Sequence, residues 1–216
     1  MNIIEKNISV QKTARYYVLG EPSVQIDSVW FILHGYSQLA EDFIKIFKPA
    51  KSENVLMIAP EALNRFYVKG FSGKVGAAWM TKEDRENEIK DYINYLDSVY
   101  EDVIKFGLPP EAKITVLGFS QGTETACRWI SKGKSKTDRL ILWGGRMPPD
   151  VDLESSRDLF NSIQLTIVAG DKDEFVSAEH IESEEERLKK NNIKYSLITF
   201  DGIHALKREI LLRLFD

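Results

Sequence analysis

The residues whose types and spacing could do chemistry gather around Ser120, in the pentapeptide Gly118-Phe119-Ser120-Gln121-Gly122. This G-x-S-x-G pattern closes an apolar, β-branched run, KITVLGF, and is followed at once by the amphipathic stretch TETACRWI. A strand that ends, a sharp turn and a helix that begins is the setting in which a serine is lifted clear of a sheet as a nucleophile. Glycines two before and two after the serine suit such a turn, because side chains there would collide. The helix N-terminus beneath the serine offers free N–H groups to a reacting carbonyl.

A serine hydroxyl is a poor nucleophile until a base removes its proton during attack. The chain has three histidines. His34 ends the run SVWFIL, where an oxyanion donor is expected, and His180 lies in an acidic helical stretch and reads as a surface residue. His204 follows the last strand-like run, and elimination favours it as the base. A carboxylate must hold its imidazole in one tautomer and stabilise the imidazolium. Asp171 and Asp173 both follow the strand before last, and Asp201 is the local rival, three residues from His204. Asp173 is favoured because a residue further round its loop can fold back, while Asp171 suits a cap on the loop's own backbone. The order Ser120, Asp173, His204 is that of the α/β-hydrolase fold. The two oxyanion-hole N–H groups are expected from Gln121, directly after the nucleophile, and from Tyr36, just past the His34-Gly35 pair.

These residues need a scaffold, and the patterning supplies one. Strand-like runs occur near Ile3–Val10, Arg15–Leu19, Ser28–Leu33, Val55–Ala59, Lys113–Phe119, Arg139–Trp143, Ile163–Ala169 and Lys194–Phe200. Helical stretches fall at 40–48, from Thr81 to about residue 106, after Ser120, at 178–191 and at 205–215. In the second of these, Ile89, Tyr92, Ile93, Leu96, Val99, Tyr100 and Val103 recur at helical spacing. Alternating strands and helices from residue 28 onward predict an α/β fold, a mostly parallel central sheet of about eight strands with helices on both faces. Ligands bind beyond the carboxyl ends of such strands, so HGY, GFSQG, WGG, GDKDEF and DGIH should share one rim. The stretch 60–78 has no clean period and reads as a long functional loop. No repeat or linker divides residues 1–216, which are expected to form a single domain.

The chain has 216 residues, 43% hydrophobic and 29% charged, with a formal net charge of −4. That balance, without a Lys/Arg-rich run, argues against nucleic acid as a partner. A lone cysteine, Cys127, excludes an internal disulfide and reads as a small buried residue. With no signal-like N-terminus and no run long enough to span a bilayer, the expectation is a cytoplasmic protein without stable membrane insertion.

Six scattered pieces, LHGYSQLAEDF at 33–43, AP at 59–60, GAAW at 76–79, GFSQG at 118–122, GDKDEFV at 170–176 and GIHAL at 202–206, resemble the phospholipase/carboxylesterase family of α/β-hydrolases, which includes acyl-protein thioesterases. They stand in the family's order across most of the chain. The resemblance implies Ser120 as nucleophile, Asp173 as triad acid, His204 as base, and Tyr36 and Gln121 as oxyanion donors. It also implies an ester or thioester substrate of small-molecule kind and no metal or cofactor. The chain departs from the family pattern at Tyr36-Ser37-Gln38, at Met80-Thr81, at Glu174-Phe175 and at Trp143-Gly144-Gly145-Arg146, all where an acyl or leaving group would bind.

Aromatic residues crowd the rim loops, and Phe71, Trp79, Trp143 and Phe175 are the expected pocket wall. The crowding points to short or medium acyl chains. The sequence thus reads as a serine hydrolase working through an acyl-enzyme. Its rivals are a hydrolase acting on a dienelactone or a peptide, and a non-catalytic ligand-binding member of the fold.

Overall fold

The computed structural model describes residues 2–50 and 52–215; Met1, Lys51 and Asp216 of the expected 1–216 domain lie outside the described residues. Seven strands form one sheet: β1 (Tyr16–Leu19), β2 (Ser28–Leu33), β3 (Val55–Pro60), β6 (Lys113–Phe119), β7 (Arg139–Trp143), β8 (Gln164–Gly170) and β9 (Ser196–Phe200). Their spatial order is β1-β3-β2-β6-β7-β8-β9. Only the β1–β3 pair is antiparallel, and every other neighbouring pair is parallel.

Strand residues with period 2 sort into two cores. Val29, Phe31, Leu33, Val116, Leu140, Leu142 and Ile167 face helices α2 (Arg85–Ile104), α3 (Gln121–Lys132), α4 (Arg157–Ser162) and α5 (Ala178–Lys190). Trp30, Ile32, Met57, Leu117, Ile141 and Val168 face α1 (Ala40–Lys45) and α6 (Arg208–Arg213). Parallel strands buried on both faces read as continuous apolar runs, as SVWFIL and VLMIA do; the second extends one residue further, to Pro60. No helix among the described residues is long and apolar enough to cross a membrane.

The sheet has one strand fewer than the sequence suggests. The run 3–10 has no regular structure and joins no strand, and Ile3, Ile4, Ile8 and Val10 are all exposed. Its alternation imitates a strand, yet nothing packs on its apolar side. The stretch 60–78 is not structureless either: β4 (Asn64–Tyr67) and β5 (Val75–Ala78) form an antiparallel hairpin, whose Ala77 bridges to Gln38. The long helix starts at Arg85, not Thr81, because Asp84 is left-handed at φ 46° and Thr81 caps the preceding turn.

One buried polar contact ties the largest helix to the one that follows Ser120. Asp97 of α2 accepts from Trp129 Nε1 at 2.9 Å and from the Lys134 backbone N–H at 2.8 Å. Asp97→Ala would strand both donors and should lower stability by about 3 kcal/mol. Asp97→Asn, keeping an acceptor, should lose much less. Urea denaturation midpoints at constant m-value check this.

Candidate active site

The turn at Ser120 is enforced by close packing. Ser120 has φ 54° and ψ −120°, outside the regions L-residues favour. A Cβ on Gly118 would lie 2.3 Å from the Gly122 carbonyl oxygen, and one on Gly122 would lie 2.2 Å from that of Leu33. Neither position admits a side chain. Ser120 donates its N–H to the Trp143 carbonyl at 2.9 Å, while Thr123 bonds the Ser120 carbonyl through both its N–H and its hydroxyl.

The loops after β8 and β9 meet beside it. His204 Nδ1 lies 2.7 Å from Asp173 Oδ2, so the ring donates to a carboxylate that is itself buried. The other oxygen, Oδ1, accepts from the N–H groups of Phe175 and Val176 at 2.8 and 3.0 Å. Asp171 is not a partner of the imidazole. It accepts from Gly202 N–H at 3.0 Å, and Lys172 N–H returns a bond to the Gly202 carbonyl at 2.9 Å, which locks the two loops together. Asp201 pairs with Lys172 on the surface. The imidazole is flanked by the rings of Phe119 and Phe175, at 5.0 and 4.8 Å between centroids.

Ser120 and His204 line one cavity of about 370 Å³, together with Met80, Phe175, Val176 and Arg146. No direct hydrogen bond joins the Ser120 hydroxyl to the imidazole, whose side-chain partner is Asp173; bonds between a nucleophile and its base commonly tighten only in the substrate complex.

Tyr36 sits in the loop after β2, which abuts the serine: a Cβ on Gly35 would be 3.2 Å from Ser120 Cβ. Gly35 N–H is held by Gln38 Oε1 at 2.8 Å and Ser37 N–H by the Ala77 carbonyl at 2.9 Å. The Tyr36 N–H between them enters no backbone bond among the described residues. Gln121 is the first residue of α3, so its N–H has no partner inside the helix. The Gln121 side chain is occupied, accepting from Trp79 N–H at 3.0 Å and donating to the Met80 carbonyl at 2.8 Å.

Of the four expected wall residues only Phe175 lines the cavity. Phe71 stands 97% exposed at the tip of the β4–β5 hairpin. Trp79 and Trp143 are fully buried, because an indole buries well once its N–H finds an acceptor. Trp79 Nε1 donates to the His34 carbonyl at 2.8 Å and Trp143 Nε1 to the Ala205 carbonyl at 3.1 Å. Each therefore braces from behind a loop that carries a site residue. Thr123 and Glu124, which no sequence signal marks, line the cavity, as do Arg146, expected near the acyl or leaving group, and His180, expected only at the surface. Glu184, read as part of a solvated Glu run, is buried and accepts from Met147 N–H at 2.9 Å.

A family model described as phospholipase/carboxylesterase matches residues 16–214. The chain belongs to this family. It is thus a hydrolase of the phospholipase/carboxylesterase class. Among solved structures, this phospholipase/carboxylesterase-family chain is similar to esterase PE8, with 20% identity over 94% of this chain and 97% of that one and a TM-score of 0.68. It is similar to acyl-protein thioesterase 2 of Zea mays, with 16% identity over 94% and 96% and a TM-score of 0.71. It is also similar to a phospholipase/carboxylesterase of Dyadobacter fermentans, with 17% identity over 97% and 99% and a TM-score of 0.67. At such identities the likeness speaks for the fold. A search of curated protein sequences found no match.

His34, the remaining histidine, is fully buried and supports the loop that carries Tyr36. Its Nε2 accepts from Ala62 N–H at 3.0 Å, so the proton is on Nδ1 and is donated to the Gly35 carbonyl at 2.8 Å. Burial pulls its pKa down to about 4. The unfolded chain takes up a proton below about 6.5, whereas the folded one does not until about 4, so the stabilisation is complete above about 6.5 and lost as pH falls through this window. Stability should fall by up to about 1.4 kcal/mol per pH unit there. His34→Gln should be less stable at pH 7 but flatter between pH 6.5 and 4.5; urea titrations across that range compare the two.

Proposed function

We propose that this protein hydrolyses carboxylic esters or thioesters through a Ser120 acyl-enzyme, with no metal or cofactor. His204 takes the Ser120 proton during attack and returns it to the departing alcohol or thiol. Asp173 holds the proton on His204 Nδ1, leaving Nε2 free as the base, and stabilises the imidazolium. The backbone N–H groups of Tyr36 and Gln121 receive the oxyanion; losing one such donor typically costs about 10²–10³ in rate. Water then repeats the sequence on the acyl-enzyme. The observation that carries this reading is the 2.7 Å contact of His204 with Asp173 at the cavity that also holds Ser120.

The cavity, about 370 Å³, lies near the small end of ligand sites, roughly 300–1,000 Å³. That supports short or medium acyl chains.

Ser120→Ala should abolish both turnover of 4-nitrophenyl esters and labelling by a fluorophosphonate. Asp173→Asn should lower kcat by about 10⁴, since the amide favours the wrong tautomer. Labelling that persists in Ser120→Ala would refute the nucleophile assignment. Across a series of 4-nitrophenyl esters, kcat/KM should peak among the short or medium acyl chains, since a cavity at the small end of the range has little room for a longer one; faster turnover of palmitate than of butyrate would overturn the chain-length reading.

A further inference from the structure

The polar side chains of the cavity, apart from Ser120 and His204, are Gln121, Thr123, Glu124, Arg146 and His180. Their hydrogen-bonding capacity is unevenly spent. Gln121 uses its oxygen on Trp79 N–H and one amide proton on Met80. The Thr123 hydroxyl donates to the Ser120 carbonyl at 2.8 Å. Glu124 is held at 3.0 Å by Arg128, whose side chain is fully buried. His180 Nδ1 accepts from Ser177 N–H at 3.3 Å, so its remaining ring nitrogen is a donor.

Among the described residues Arg146 is the arginine that lines the cavity, and like Arg139, Arg157, Arg208 and Arg213 it enters no ion pair. The arginine ion pairs among the described residues belong to Arg15, Arg65, Arg85, Arg128 and Arg187. On this wall Glu124 and Asp150 are matched by Arg128 and Arg85. Burial works against the Arg128 charge, but its bonds to Asp150 outweigh that and raise its pKa; the same bonds hold the Asp150 carboxyl far below the usual range. Arg146 is therefore the charge left over, and its guanidinium has five donors and no acceptor.

Its backbone is fixed on both sides. The Arg146 carbonyl lies 3.3 Å from the Thr123 hydroxyl and shares its one proton with the Ser120 carbonyl. The next residue, Met147, gives its N–H to Glu184 Oε1 at 2.9 Å, and its carbonyl accepts from Arg187 Nη1 at 2.9 Å. A long side chain on a rigid mount loses less freedom on binding.

We propose that Arg146 selects substrates bearing a carboxylate, the group whose two oxygens match a guanidinium fork. The native substrate is then an anionic ester or thioester, its carboxylate a few bonds from the scissile carbonyl, with His180 able to add a second donor. This rests on the hydrolase reading above and narrows its substrate class. Arg146 is exposed at the cavity mouth, so water screens the pair and the preference is about tenfold, the lower end for a hydrogen bond between charged groups.

Two ester pairs test it and distinguish the two ends of the substrate. The 4-nitrophenyl monoester of glutaric acid against 4-nitrophenyl pentanoate puts the charge on the acyl side. The compound 4-pentanoyloxybenzoate against phenyl pentanoate puts it on the leaving group. With uncatalysed hydrolysis subtracted, the charged member of one pair should show kcat/KM about tenfold above its neutral partner. Arg146→Ala should bring that ratio to near one, mainly through KM. Arg146→Lys should retain part of it, and added salt should erode it. Ratios at or below one for both pairs in the wild type, or a ratio unchanged in Arg146→Ala, would overturn the proposal while leaving the hydrolase intact. No turnover of any ester, with Ser120 unlabelled by a fluorophosphonate, would instead bring down the hydrolase reading and this one with it.

Discussion

The first turn of α3 crosses the end of β2 so closely that nothing larger than a hydrogen fits between them. A Cβ on Gly122 would stand 2.2 Å from the Leu33 carbonyl oxygen and 2.9 Å from that of His34. This contact sets the direction in which the chain must leave β6, and with it the unfavourable backbone of Ser120 at φ 54°. It also presses the loop carrying Tyr36 against the nucleophile. The serine and the amide groups that would receive negative charge are thus parts of one packed unit, which is what preorganised electrostatic stabilisation requires.

Loops that carry reactive groups have few regular backbone bonds, so side chains hold them from behind. Trp79 bonds the His34 carbonyl, Trp143 the Ala205 carbonyl, and His34 itself bridges Gly35 and Ala62. Asp171 joins the loop of Asp173 to the loop of His204 through Gly202. Both indoles and His34 are satisfied by the loops they support, so their burial costs little. The catalytic candidates sit on rigid mounts, braced partly by residues outside the cavity, Trp79, Trp143, His34 and Asp171, and partly by Thr123, Phe175 and Val176 in its lining.

The wall formed by α3, α5 and the segment after β7 is built differently. Arg128 lies fully buried on α3 and gathers Glu124 and Asp150, while Glu184 and Arg187 of α5 hold the backbone from Met147 to Val151. The segment after β7 is therefore stiff although it has no regular structure. The fold is matched along almost the whole chain at 16–20% identity.

What the sequence alone determined was local. Apolar runs buried on both faces marked the strands, the 3.6-residue period marked α2, and G-x-S-x-G between a strand and a helix marked the elbow, because each signal is written in neighbours along the chain. The order of Ser120, Asp173 and His204 was legible for the same reason. The tertiary structure decided what depends on direction and partners. It turned Trp79 and Trp143 inward, left Phe71 exposed, gave Asp171 to a neighbouring loop, and left the run 3–10 unpaired. It also drew Arg146 and His180 to the cavity and buried Glu184 from a run that looked wholly solvated. An aromatic ring or a charge in a loop has no period to betray which way it points; only the contacts made by chain segments far apart in sequence determine that.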